Sequence, residues 1–206
     1  MSTSTVEQVS PAAPRDDVFR RRLLDGLAAS IEERGYREST VADIVRHART
    51  SKRTFYDQFS GKEACFAELL TANAENIVAG VTGAVDPDAS WQEQVHQAVT
   101  AYVQTIQASP AITLSWIREL PALSESARPV LRRGLGRLTS MIVDLSGNPG
   151  FRRAGIAPIP HAMAVILVGG LRELTAQTVE DGSPVTEIIE PTLAVSLAIL
   201  GPKTRV

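Results

Sequence analysis

Cysteine is nearly missing from this chain: among 206 residues only Cys65 carries a thiol. A lone cysteine excludes an internal disulfide and a cysteine-based zinc site, and with them a disulfide-stapled secreted scaffold. Histidine is nearly as scarce: His96 and His161 have no partner at metal-ligand spacing, and His47, at the end of a short helical segment, reads as a favourable C-terminal charge or cap rather than a ligand, so no metal and no other cofactor is expected. Long hydrophobic runs are also lacking. The longest, Ala162 to Leu171, stops at Arg172, well short of the roughly 18 apolar residues that span a bilayer, and no membrane partner is expected. Met1 to Pro14 has neither the basic start nor the apolar stretch of a signal peptide. Residues 1–14 read as a disordered tail, and the cytoplasm as the compartment. Nothing in the sequence resembles Gly-x-Ser-x-Gly or another nucleophile arrangement, and Gly134-x-Gly136 follows no strand pattern. An enzyme is therefore not expected.

What is present is an ordinary globular composition, 44% apolar and 21% charged with 14 Gly and 12 Pro, enough to bury a sizeable core. The net charge of −2 hides an asymmetry. Between Arg46 and Lys62 the cations Arg46, Arg49, Lys52, Arg53 and Lys62 face the single anion Asp57, so the rest of the chain is acidic. A short basic segment on an acidic body suits a protein that meets a polyanion at one end.

Apolar spacing of three and four predicts helices throughout. Phe19, Leu23, Leu27 and Ile31 make one stripe on a helix from about Asp16 to Arg34, which Gly35 stops. Thr40 caps a short second helix holding Val41, Ile44 and Val45, and Thr50-Ser51 cap a third with Phe55 and Phe59 inward. Ser60-Gly61-Lys62-Glu63 has the pattern of a capping box and opens a fourth helix, and Ser90 to Glu93 repeats that pattern for a fifth. Pro110 starts a sixth, Leu131 to Leu145 defines a seventh before a loop over residues 147–155, and a very apolar helix runs from about Pro160 to Val179. Pro191 should kink or split the last segment. With no convincing strand alternation, the expected fold is all-α with about nine helices.

Three short amphipathic helices with cations on the third fit a helix-turn-helix unit whose third helix enters the DNA major groove. Moreover, Arg20 to Leu70 closely resembles the DNA-binding region of the tetracycline-repressor (TetR) family of bacterial transcription regulators. The resemblance rests on Leu24, Ala28 and Gly35-Tyr36, on Ser39-Thr40-Val41 and Ile44, and on Thr54-Phe55-Tyr56, Phe59 and Lys62-Glu63. It implies a helix-turn-helix domain over residues 15–62 and an effector-binding and dimerisation domain over residues 63–206. It also implies that Thr40, Thr54, Tyr56 and Lys62 match phosphate-contacting positions. Lys52 and Arg53, on the outward start of the third helix, are the candidate readers of guanine O6 and N7. With the cap Ser51 they complete the candidate DNA-binding set. One departure is visible, because the chain has Arg49 where the family usually has glycine at the turn. Arg49 must hold a left-handed angle, or the turn must differ.

The resemblance further implies a homodimer through the last two helices and a small-molecule pocket. Met163 to Leu174 and Leu193 to Leu200 are more apolar all round than the surface helices of a monomer, which supports a dimer separately. Tyr102, Trp116, Met141 and Met163 are the candidate ligand-lining residues, and each fits a plain core position equally well. The expected function is a sequence-specific regulator of double-stranded DNA, a repressor released by a small lipophilic effector. The alternative is an all-α carrier or sensor without operator binding.

Overall fold

The computed structural model describes residues 15–119, 121, 123 and 128–202; the tail expected over residues 1–14 lies outside them. The described residues contain ten α-helices, one 3-10 turn and no strand. The helices are α1 (Arg15–Glu38), α2 (Val41–His47), α3 (Lys52–Gln58), α4 (Lys62–Ala84), α5 (Trp91–Ala108), α6 (Pro110–Arg118), α7 (Arg128–Ser146), α8 (Pro149–Arg153), α9 (His161–Glu180) and α10 (Ile189–Leu200). The all-α expectation holds. The additional helix, α8, lies in the segment read as a loop, where Pro149 starts one turn and Phe151 anchors it in the interior.

Local chemistry explains most boundaries. Gly35 breaks α1 with φ 78° and ψ 164°, and a further turn follows to Glu38. Thr40 and Asp43 form a reciprocal capping box on α2, while the Ser90 hydroxyl accepts from the Glu93 amide at 3.2 Å to start α5. The box expected at Ser60 does not form, because Gly61 is the cap residue of α4 and no side chain bonds the first amides. Pro191 sits in the first turn of α10, preceded by the 3-10 turn Val185–Ile188, so the last segment is split rather than kinked.

The main core is continuous from the N-terminal helices into the body. Leu23, Leu27, Ile31, Ile44, Phe55 and Phe59 pack with Phe66 and Leu70 of α4, and the same cluster extends to Trp116, Leu138 and Val168. The long α4 is therefore a spine shared by both ends. A second cluster forms around Val95, Val99 and Phe151, and a third joins Val103 and Ile106 to Val185 and Ile188. By length and composition α9 could cross a membrane. In this fold, however, its Ala164, Leu167, Val168, Thr175 and Ala176 are buried against other helices.

Candidate nucleic-acid interface and ligand cavity

The turn between α2 and α3 sets the direction of α3. The Arg49 amide donates to Arg46 O at 3.2 Å and the Thr50 amide to Val45 O at 3.0 Å, the paired bonds of a Schellman C-cap. That motif needs a left-handed residue. Arg49 supplies it with φ 49°, and no other non-glycine among the described residues has a positive φ.

Two arginines of α1 brace this unit from behind, and nothing in their spacing announced it. The Arg22 guanidinium donates to Ala48 O at 2.5 Å and Arg49 O at 2.9 Å, holding the turn. Arg20 donates to Gln58 O at 2.9 Å, pairs with Glu68 and lies 4.4 Å above the Phe59 ring, fixing the other end of α3. Gly26 admits α2 against α1: a Cβ there would stand 2.6 Å from Ile44 O.

On this frame α3 buries Phe55 and Phe59 and turns Lys52, Arg53 and Tyr56 outward. Among the described residues, Lys52 and Arg53 have no ion-pair partner. Tyr56 is 58% exposed, and its ring meets Phe55 edge-on. A large aromatic left outward beside unpaired cations is a surface without an internal packing role. Ser51 caps α3, accepting from the Thr54 amide at 3.1 Å, so both hydroxyls stand at the helix start next to Lys52. Thr40 is equally exposed at the start of α2.

Lys62 behaves differently from a free phosphate ligand. Its Nζ donates to Tyr36 O at 3.0 Å, Arg37 O at 3.3 Å and Ser39 O at 2.8 Å, and lies 4.4 Å from the Tyr36 ring centre. The three ammonium donors are thus matched by carbonyls at the end of α1, and burial pushes its pKa down. A cation at the start of α4, unfavourable for that helix, is stabilised by the end of another. Through Ser39 it also fixes the residue beside Thr40.

Charge pairs link this end to the body. Arg37 of α1 meets Glu119 at 2.9 Å, and the adjacent Arg118 holds both Glu173 and Glu180 of α9. The exposed Glu33 carboxylate is held down to about 2 by Arg34, with Arg46 and His47 adding to it. His47 is therefore tied to Glu33, at 2.9 Å, rather than capping its own helix. Cys65 is fully buried, and burial pushes its thiol up to about 12.

In the body, α4, α5, α7, α9 and α10 enclose a cavity of about 80 Å³ with almost wholly apolar walls, including Val81, Ala98, Tyr102, Met141, Leu171 and Thr192. Of the four candidate lining residues, Tyr102 and Met141 are here. Trp116 and Met163 are not among the residues that line it. Trp116 is buried between helices where Gly134 leaves room for its ring, and Met163 packs on the Val95–Phe151 cluster. The apolar face left uncovered includes Val165 and Ile166 of α9 and Val195 of α10, whereas Val168 points inward.

Residues 23–69 match the family model for bacterial regulatory proteins of the tetR family. The chain is 42% identical over 52 residues to the uncharacterized HTH-type transcriptional regulator YdgC of Bacillus subtilis, covering 25% of this chain and 27% of that protein. It is 26% identical over 155 residues to the uncharacterized HTH-type transcriptional regulator YhgD of the same organism, covering 72% and 78%. Its structure resembles that of the transcriptional regulator FadR from Bacillus subtilis in complex with stearoyl-CoA. The TM-score is 0.73 at 16% identity, over 89% of this chain and 99% of that one, a likeness of fold.

Proposed function

We propose that this chain, whose residues 23–69 match the family model for bacterial regulatory proteins of the tetR family, is a homodimeric, cytoplasmic repressor. It binds a double-stranded DNA operator and is released by a small lipophilic effector. Residues 15–62 are the DNA-binding domain and residues 63–206 the effector-binding and dimerisation domain, with α4 as their common spine. The observation that carries the reading is the outward face of α3, where unpaired Lys52 and Arg53 flank an exposed Tyr56 on a rigidly braced helix. Long cations there reach base acceptors, while Tyr56, Thr54 and Thr40 hold the backbone. Lys62 contributes by fixing the start of α2 beside Thr40, and reaches phosphate only by leaving the carbonyls it now bonds.

The apolar cavity supports an effector that buries a hydrocarbon portion. An effector that prefers the DNA-incompetent state weakens operator binding by its preference, and DNA weakens effector binding equally. The test selects bound fragments from random double-stranded DNA and compares variants on the recovered site. Arg53→Ala should cost about 1–3 kcal/mol and relax preference at one position in each half-site, and Tyr56→Phe should weaken all sequences alike. A chain that selects no sequence, with affinity indifferent to salt, would overturn the operator reading.

A further inference from the structure

Arg172 of α9 is a charged side chain that the fold leaves unanswered. Its Nε is out of contact with solvent and has no hydrogen-bond partner, and among the described residues its guanidinium forms no ion pair. The group lies 4.9 Å above the Trp116 ring, which stabilises the cation but accepts no hydrogen bond in the guanidinium plane. The neighbouring acid is already committed: both Glu173 carboxylate oxygens accept from Arg118, at 2.8 and 3.0 Å. Arg118 itself opposes a second cation nearby, and burial further disfavours the charge on Arg172. A half-buried, unpaired guanidinium is costly, and such groups persist where something else completes them.

Its place indicates what completes it. Leu171, the preceding residue, lines the apolar cavity, and so does Tyr102, which lies in the electrostatic reach of Arg172. The Tyr102 hydroxyl is 3.0 Å from the Thr175 hydroxyl, one turn along α9 from Arg172. On the α10 wall, the Thr192 hydroxyl is also buried without a partner. The cavity wall therefore carries a phenol within electrostatic reach of a guanidinium whose Nε is buried and has no partner. We propose that the effector is a lipophilic carboxylic acid, its hydrocarbon in the cavity and its carboxylate paired with the Arg172 guanidinium beside Tyr102. This inference rests on the cavity being the effector site. A carboxylate matches the guanidinium fork through two parallel N–H donors, which a neutral head group cannot do.

The test uses the full chain in a Trp91→Phe background, so that Trp116 beneath Arg172 is the fluorescent reporter. Octanoate and 1-octanol share a tail and differ in charge, and their affinities are measured by Trp116 emission and by calorimetry. Octanoate should bind about tenfold tighter or more, the range expected of a hydrogen bond to a charged group. In Arg172→Met that ratio should fall to about one with octanol affinity retained, and the unliganded variant should melt no lower than its parent, since an unpaired buried charge is gone. Arg172→Lys, which keeps the charge and loses the fork, should give an intermediate ratio and serves if the methionine variant does not fold. Equal binding of the two compounds by the parent chain, a preference that survives in Arg172→Met, or a preference undiminished in Arg172→Lys, overturns the carboxylate assignment and leaves the cavity reading intact. Binding of neither compound overturns the cavity reading, and the assignment falls with it.

Discussion

Arg49 holds φ 49° at the one place where the chain must reverse between α2 and α3. A left-handed angle costs an L-residue roughly 1–2 kcal/mol, part of which glycine returns as lost entropy of the unfolded chain. Arg49→Gly should therefore stabilise the chain by about 0.5–1 kcal/mol, read from the urea midpoint. The same change should weaken DNA binding and lower the slope of log affinity against log salt by about one, because a cation leaves the edge of the interface. A variant that is less stable, or equally salt-dependent, would show that Arg49 neither strains the turn nor meets DNA. The strained angle was legible from the sequence, since a turn that ordinarily takes glycine held a bulky residue. The bracing by Arg20 and Arg22 was not legible, because side chains that reach main-chain carbonyls across 26 to 38 residues leave no periodic trace.

At the scale of elements, α1 and α2 are held by packing and by charge, and the two respond differently to acid. Glu33 titrates near 2 in the folded chain against an ordinary 4.5. A depressed carboxylate contributes stability that is fully present above about pH 4.5 and is lost as pH falls toward 2. Glu33→Gln should flatten that part of the stability profile by lowering stability at neutral pH while leaving the chain near pH 2 almost unchanged, and added salt should mute the difference because the group is exposed. Chemical denaturation across that range checks it, and an acid limb of unchanged steepness would assign the loss to other carboxylates. Helix identity and capping were readable from hydroxyls and from three- and four-residue spacing, as at Thr40, Ser51 and Ser90. The role of Lys62 was not, because its conflict with the dipole of α4 is resolved by the end of α1, a partner visible only in three dimensions. Trp116 escaped for the same reason: periodicity fixes which face is inward but not whether that face meets a cavity or a neighbouring glycine.

For the whole molecule, the exposed Val165 and Ile166 of α9 and Val195 of α10 are the surface that a second copy would cover. Ile166→Glu, which lies 62% exposed in one chain, should leave each protomer folded and convert dimers to monomers with much weaker operator affinity. Val168→Glu should instead unfold the chain, because Val168 belongs to the main core. Sedimentation with circular dichroism separates the two, and an unaltered dimer for Ile166→Glu would place the interface elsewhere. Sequence alone showed that these helices were too apolar, but not which of their residues remained outside. The sealed Cys65 bears on how such an assembly is studied. With its only native thiol buried and almost never ionised, the chain is already a blank for maleimide chemistry. A cysteine introduced at an exposed position such as Asp57 would be the sole labelled atom in each copy. A pair of spin labels would then turn the separation of the two α3 helices into a directly measured ruler.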